Sequence, residues 1–214
     1  LHEGLRQVIG RGLQRRLRTP HVWVSCDVDA PYAPGGRSLP LMLRQLAADL
    51  VHERSPRRAA KGLLHAAASR AGVMRFDPYD TFEWMQQVNE RAGNRMTFYF
   101  LSVLKPEHID GCYELNEPRV GALLANIVQR GHEVGLHGSY RSVDDTALLA
   151  GEFERLQAAV ARNGGRQVGF GVRQHYLRWR MDGTAAALDA LGFEHDSTLG
   201  YPDVPGFRCG TCHP

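Results

Sequence analysis

No stretch of about 18 apolar residues occurs in the 214-residue chain, so nothing in it reads as a membrane-spanning helix. The N-terminus has no apolar core of the kind a secretory signal peptide needs, and none is visible. Cysteine is scarce: Cys26, Cys112, Cys209 and Cys212 are too few and too scattered for a disulfide scaffold. Cys209 and Cys212 form a lone Cys-x-x-Cys, but a structural zinc site needs a second ligand pair and only His213 is adjacent. The pair therefore reads as a loop with two thiols. Aromatic residues are few, and none interleaves with the basic runs Arg11, Arg15, Arg16, Arg18 and Arg54, Arg57, Arg58, Lys61. With a net charge of only +3 these runs read as solvated helix faces, and no nucleic-acid partner is expected. Internal repeats and low-complexity segments are lacking too. The chain begins at Leu1 and stops at Pro214 directly after a Gly- and Cys-rich loop, as a fragment would.

What is present is the composition of an ordinary globular protein, with 43% hydrophobic and 23% charged residues, and a length that suits one domain. We expect residues 1–19 to form a basic flanking helix. Residues 20–214 are expected to form one catalytic domain, truncated at its C-terminal end. The segment His21 to Cys26 is rich in β-formers and runs into Asp27-Val28-Asp29 before Pro31, Pro34 and Gly35-Gly36, which predicts a buried strand delivering acids into a loop. Apolar spacing predicts helices over Leu39 to Glu53, Arg58 to Arg70 and Thr81 to Arg91. Further strands are expected at Arg95 to Leu101, Glu133 to Leu136, Gln167 to Val172 and Phe193 to His195. Helices are expected between them at Pro118 to Arg130, Val143 to Arg162 and Gly183 to Ala190. Strands alternating with helices imply an α/β fold with a mainly parallel sheet and outer helices.

In such folds the C-terminal strand ends share one face, where sites assemble. Asp27 and Asp29 follow the first strand, His137 follows Glu133 to Leu136, Arg173 and His175 follow the next, and Asp196 follows the last. Each has a plainer alternative: the two acids suit an Asx turn before Pro31, and His175 beside Tyr176 also reads as a core histidine. His132 stands at a strand's entry and reads as structural. Carboxylate and imidazole ligands together suit Zn²⁺, and also Fe, Mn, Co or Ni. One Asp and two His leave a position open for water, which the cation makes acidic, and a second carboxylate kept off the metal can accept its proton.

The segment Gly-His-Glu-Val-Gly-Leu-His over residues 131–137 resembles the second motif of the polysaccharide deacetylase superfamily, the NodB-homology or carbohydrate esterase family 4 group. Ser25-Cys26-Asp27-Val28-Asp29 resembles its strand-end acidic motif, Gly171-Val172-Arg173-Gln174-His175-Tyr176 stands in the place of its arginine motif, and Asp196-Ser197-Thr198 resembles its downstream Asp-Ser-Ser. The order along the chain is the same, over roughly residues 20–212. The resemblance implies a distorted barrel of seven β/α units and hydrolysis of an N- or O-linked acetyl group on a carbohydrate. It implies Asp27 as general base, Asp29 as metal ligand with two histidines, Arg173 orienting the catalytic Asp, and Asp196 in the catalytic set. The cofactor expected is a divalent transition metal, zinc first, and the partner a glycan or sugar precursor. An envelope compartment follows from that substrate, while the thiols lean towards cytoplasm.

The sequence departs from the family where its second histidine should stand, four residues after His137: that residue is Arg141. Arginine cannot ligate a metal, and His175, two residues past the arginine, is the candidate replacement. The family's last motif, a general-acid histidine, has no clear counterpart before Pro214. Three helices in place of one between the first two strands are a further departure, with Tyr79, Phe82 and Trp84 spaced for core packing or for stacking on sugar. Two rival readings stand beside this one. A glycan-binding or assembly module would keep the site without the chemistry. A phosphatase of the haloacid dehalogenase type would also place Asp-x-Asp at a strand end, but Pro31 replaces its Thr or Val, and Lys105 and Asp144-Asp145 fit its remaining needs poorly.

Overall fold

The computed structural model describes residues 22–33, 47, 51, 54–70, 77, 79–104, 110, 111, 113–206 and 208–210. The basic segment 1–19, the helix expected over 39–53 (apart from residues 47 and 51), and Lys105, Cys112, Cys212 and His213 lie outside them. In chain order the elements are β1 (Val24–Val28), α1 (Pro56–Arg70), α2 (Phe82–Arg91), β2 (Met96–Leu101), α3 (Pro118–Gln129), β3 (Glu133–Gly138), α4 (Thr146–Arg162) and β4 (Gly171–Gln174). A single 3₁₀ turn (His175–Leu177), α5 (Thr184–Ala190) and β5 (His195–Asp196) follow. The five strands pair in parallel in the order β1-β2-β3-β4-β5, an α/β architecture. No helix among the described residues is long and apolar enough to cross a membrane.

Strand alternation divides the sheet into an apolar and a polar face. Val28, Met96, Phe98, Phe100, Val134, Leu136 and Val172 point to the helix side, where they meet Val120, Leu124 and Ile127 of α3 and Leu149, Phe153 and Leu156 of α4. Each such large side chain, fully buried, stabilises the fold by about 1.5–3 kcal/mol. α3 starts with Pro118 in its first turn, where proline's missing N–H costs nothing, and buries Val120, Leu123, Leu124 and Ile127 along one stripe. α4 is capped by Asp145, whose carboxylate accepts from the Leu148 N–H at 2.9 Å.

The opposite face carries Ser25, Asp27, Thr97, Tyr99, Glu133, His137, Arg173 and His195. Because that face is polar, four strands run past the stretches that predicted them. β1 reaches Val28, β3 reaches Gly138, β4 lies over Gly171–Gln174 rather than Gln167 to Val172, and β5 reaches Asp196. Gln167 stays outside the ladder because its side-chain amide does the pairing: it accepts from Val134 N–H at 2.9 Å and donates to the Val134 carbonyl at 2.7 Å.

The polar face is concave. Neighbouring strands stand about 4.8 Å apart, so β1 and β5 would be about 19 Å apart in a flat sheet. Yet the Trp23 ring, next to β1, lies 4.6 Å from that of His195 in β5, and Arg173 of β4 bonds Ser25 and Asp27 of β1. Two strand glycines make the roll possible: a Cβ on Gly135 would run into the Tyr99 ring, and one on Gly171 into the His195 ring. Among the described residues there are five strands in one parallel sheet, not the expected closed ring of seven units.

Candidate metal centre

Parallel strands bring their C-terminal ends to one rim, and the roll turns side chains of that rim towards each other. Asp27 projects from β1 into the trough and Asp29 follows the strand's last residue. His137 projects from β3, paired in register with Arg173 of β4, and His175 follows β4 directly. The nitrogens and oxygens of Asp29, His137 and His175 that can hold a metal lie within 4.8 Å of one another.

The hydrogen bonds decide which imidazole nitrogens are free. His137 Nδ1 lies 2.8 Å from the Arg173 carbonyl, which can only accept, so Nδ1 carries the proton and the Nε2 lone pair is available. His175 Nδ1 lies 2.9 Å from Asp110 Oδ1, which fixes the same tautomer there. Both Nε2 atoms face Asp29 Oδ1, at 3.5 Å from His137 and 3.7 Å from His175. Ligand atoms arranged tetrahedrally at about 2.0–2.1 Å from one zinc are about 3.3 Å apart; the two Asp29 distances are close to that, and with all three donors within 4.8 Å of one another the residue types suit a divalent transition metal. Burial pushes the pKa of His137 down, partly offset by Asp27, and leaves the ring neutral as a ligand must be.

Asp27 belongs to a second layer. Its Oδ1 accepts from Arg173 Nη1 at 2.8 Å, and its Oδ2 lies 4.0 Å from His137 Nε2. Arg173 also donates from Nη2 to Ser25 Oγ at 2.7 Å and from Nε to Ser197 Oγ at 3.1 Å, and lies 4.8 Å over the Tyr99 ring. The guanidinium is thus fixed on three sides and holds one carboxylate oxygen of Asp27, leaving the other towards His137. Asp27, Asp29, His137, Arg173, His175 and Ser197 line an open cleft of about 480 Å³, rimmed by Tyr176, Leu177, Tyr201 and Pro202.

Asp196 lies beside this cleft and is not among its lining residues. Its Oδ1 accepts from the Thr198 N–H at 3.0 Å and from the Thr198 hydroxyl, and that hydroxyl accepts from the Gln174 N–H at 3.0 Å. Burial raises the Asp196 pKa. Arg141 is exposed. His132 is buried at the entry of β3, where Nδ1 accepts from Met96 N–H at 3.2 Å. Phe82 is packed in the core, whereas Tyr79 and Trp84 are exposed and do not line the cleft. Asp145 caps α4, and Asp144 pairs with Arg178 and Arg180 on the surface.

Sequence reasoning missed Asp110 and named Ser25 and Ser197 only within motifs, without a role. Asp110 carried one usable signal: β2 lies between β1 and β3, so the loop after it must reach the same rim.

No protein-family model matches the chain, and no curated protein matches it. Among solved structures it is similar to the Xyl-CE4 domain of a multidomain xylanase from the hindgut metagenome of Trinervitermes trinervoides. The identity is 16% and the TM-score 0.40, over 55% of this chain and 51% of that one. The chain thus spans about half the length of that domain.

Proposed function

We propose that this chain is a metal-dependent hydrolase that removes an N- or O-linked acetyl group from a carbohydrate, a variant of the polysaccharide deacetylase type in a barrel-like fold. The observation that carries the reading is the pair of histidines whose Nδ1 protons are committed to oxygen acceptors while both Nε2 lone pairs face Asp29. Asp29, His137 and His175 would hold the cation, with His175 standing in for the histidine that Arg141 replaces. Mixed oxygen and nitrogen donors favour zinc, with other divalent transition ions possible by the same chemistry. When bound, such an ion supplies Lewis acidity that polarises an acyl carbonyl and makes a water acidic near neutral pH.

The chain's own residues supply the rest. Asp27, off the metal position but beside it, accepts the proton of the attacking water. Arg173 keeps that carboxylate in place through a charge-assisted bond. Asp196, behind the cleft, positions the Thr198 turn against Gln174 and so the strand that carries Arg173. Tyr176 and Tyr201 at the rim offer amphipathic faces to a sugar ring, and an open cleft admits a substituent on a longer glycan.

One observation favours the binding-module reading. Besides Asp27, Asp29 and the two histidines, the ionisable side chains lining the cleft among the described residues are Arg173, Tyr176 and Tyr201, so among these residues no further carboxylic acid or imidazole faces a leaving amine or alcohol. Elemental analysis of wild type, His175→Ala and Arg141→Ala, with acetate release from N- and O-acetylated oligosaccharides, separates the readings. We expect one equivalent of metal in wild type and Arg141→Ala, and its loss in His175→Ala together with acetate release. Wild type without metal after reconstitution would sink the hydrolase, and metal without acetate release would favour the module.

A further inference from the structure

We propose that Asp110 is the positioning carboxylate of this centre, and that the pair Asp110-Gly111 braces two of its three ligands at once. The proposal rests on the metal-dependent reading above and concerns how the chain holds a ligand that no strand holds.

His137 and His175 are secured in different ways. His137 sits inside β3 and donates to the backbone of the neighbouring strand, so the sheet fixes its ring. His175 has left the ladder. It opens a turn in which Tyr176 and Leu177 have φ of 56° and 52°, a left-handed backbone that side chains other than glycine's adopt only when surroundings impose it. A ligand at the head of a strained turn needs an outside restraint to hold a fixed aim. Asp110 is positioned to give it.

Asp110 is 5% exposed, and a buried carboxylate requires donors. Its Oδ1 accepts from His175 Nδ1 at 2.9 Å and from the Tyr140 N–H at 3.0 Å, three residues beyond His137. The next residue must be glycine for a separate reason: a Cβ on Gly111 would collide with the Asp29 carbonyl oxygen. Two successive residues after β2 therefore touch the loops after β1, β3 and β4. A carboxylate on the far nitrogen of a ligating histidine fixes its tautomer and orientation and makes it the better donor. Asp110 is thus the counterpart, for the ligand taken from the turn after β4, of the strand backbone that holds His137.

Zinc affinity, measured by chelator competition, and the imidazole tautomers, read by ¹⁵N NMR on metal-free protein, test this in wild type, Asp110→Asn, Asp110→Ala and Gly111→Ala. In wild type His175 should carry its proton on Nδ1. Asp110→Ala should mix the His175 tautomers and weaken zinc by about 10- to 100-fold, leaving the His137 tautomer alone. Asp110→Asn keeps an acceptor without the charge and should fall between, and it carries the test if Asp110→Ala does not fold. Gly111→Ala should weaken zinc through Asp29 with the His175 tautomer unchanged. Unchanged zinc affinity and tautomers in both Asp110 variants would overturn the role, as would a wild-type His175 protonated on Nε2. Wild type that takes up no zinc would overturn the metal reading and this role together, a result distinct from normal uptake that ignores Asp110.

Discussion

At the scale of single residues, Arg173 shows why the type of cation matters. Its planar fork reaches Asp27, Ser25 and Ser197 in three directions while its face covers Tyr99. A lysine ammonium is a point charge on a flexible stem and cannot hold these directions together. Arg173→Lys is therefore expected to leave zinc stoichiometry intact and to lower kcat for acetate release by roughly two orders of magnitude, the cost of misplacing a reacting group by about 1 Å. Parallel measurement of metal content and turnover checks it, and loss of metal would show that Arg173 supports the ligands instead. The candidate residues Asp27, Asp29, His137, Arg173 and His175 were legible because each follows or ends an apolar strand. Asp110 was not, since it stands nine residues past β2 with no apolar run to announce it. Neither were the tautomers, which depend on acceptors supplied by the neighbouring strand for His137 and by the loop after β2 for His175.

At the scale of elements, the join between α3 and β3 carries a pH dependence. His132 accepts at Nδ1 from Met96 N–H, and its Nε2 lies 3.3 Å from Glu90 Oε1. Burial pushes its pKa below the ordinary 6.5, although Glu90 acts the other way. On acidification the unfolded chain therefore takes up a proton before the folded one does. The contribution of neutral His132 is whole above the unfolded value and is lost as pH falls towards and through the folded value. His137, whose pKa burial also lowers, adds the same sign in metal-free protein. The urea midpoint of metal-free protein should fall between about pH 7.5 and about pH 5, and His132→Asn should flatten that slope. A midpoint independent of pH would contradict it. Among the described residues, element types and order were readable from periodicity, while strand ends were not: Asp27, His137 and Arg173 look like loop residues until the polar face of the sheet is known. The place of Gln167 was hidden too, because its side chain imitates a strand.

At the scale of the whole molecule, alternation of strands and helices announced a parallel α/β sheet, but its roll depends on long-range fits. Tyr99 lies across Gly135 and His195 across Gly171, contacts between residues far apart in sequence. Strand order equals chain order, so each strand is laid on one advancing edge. Asp27 and Arg173 nevertheless meet across 146 residues of chain. The part of the core between α3, α4 and the first three strands can form before β4 arrives with Phe170 and Val172, whereas the proposed third ligand and the arginine arrive only with β4. In refolding, zinc capture followed with a fluorescent chelator should trail burial of the core, and capture that runs ahead of the core signal would refute this order. A half-made or nicked molecule lacking β4 would then lack both the proposed third ligand and the arginine, and possession of the ion would report that β4 had been laid on the sheet.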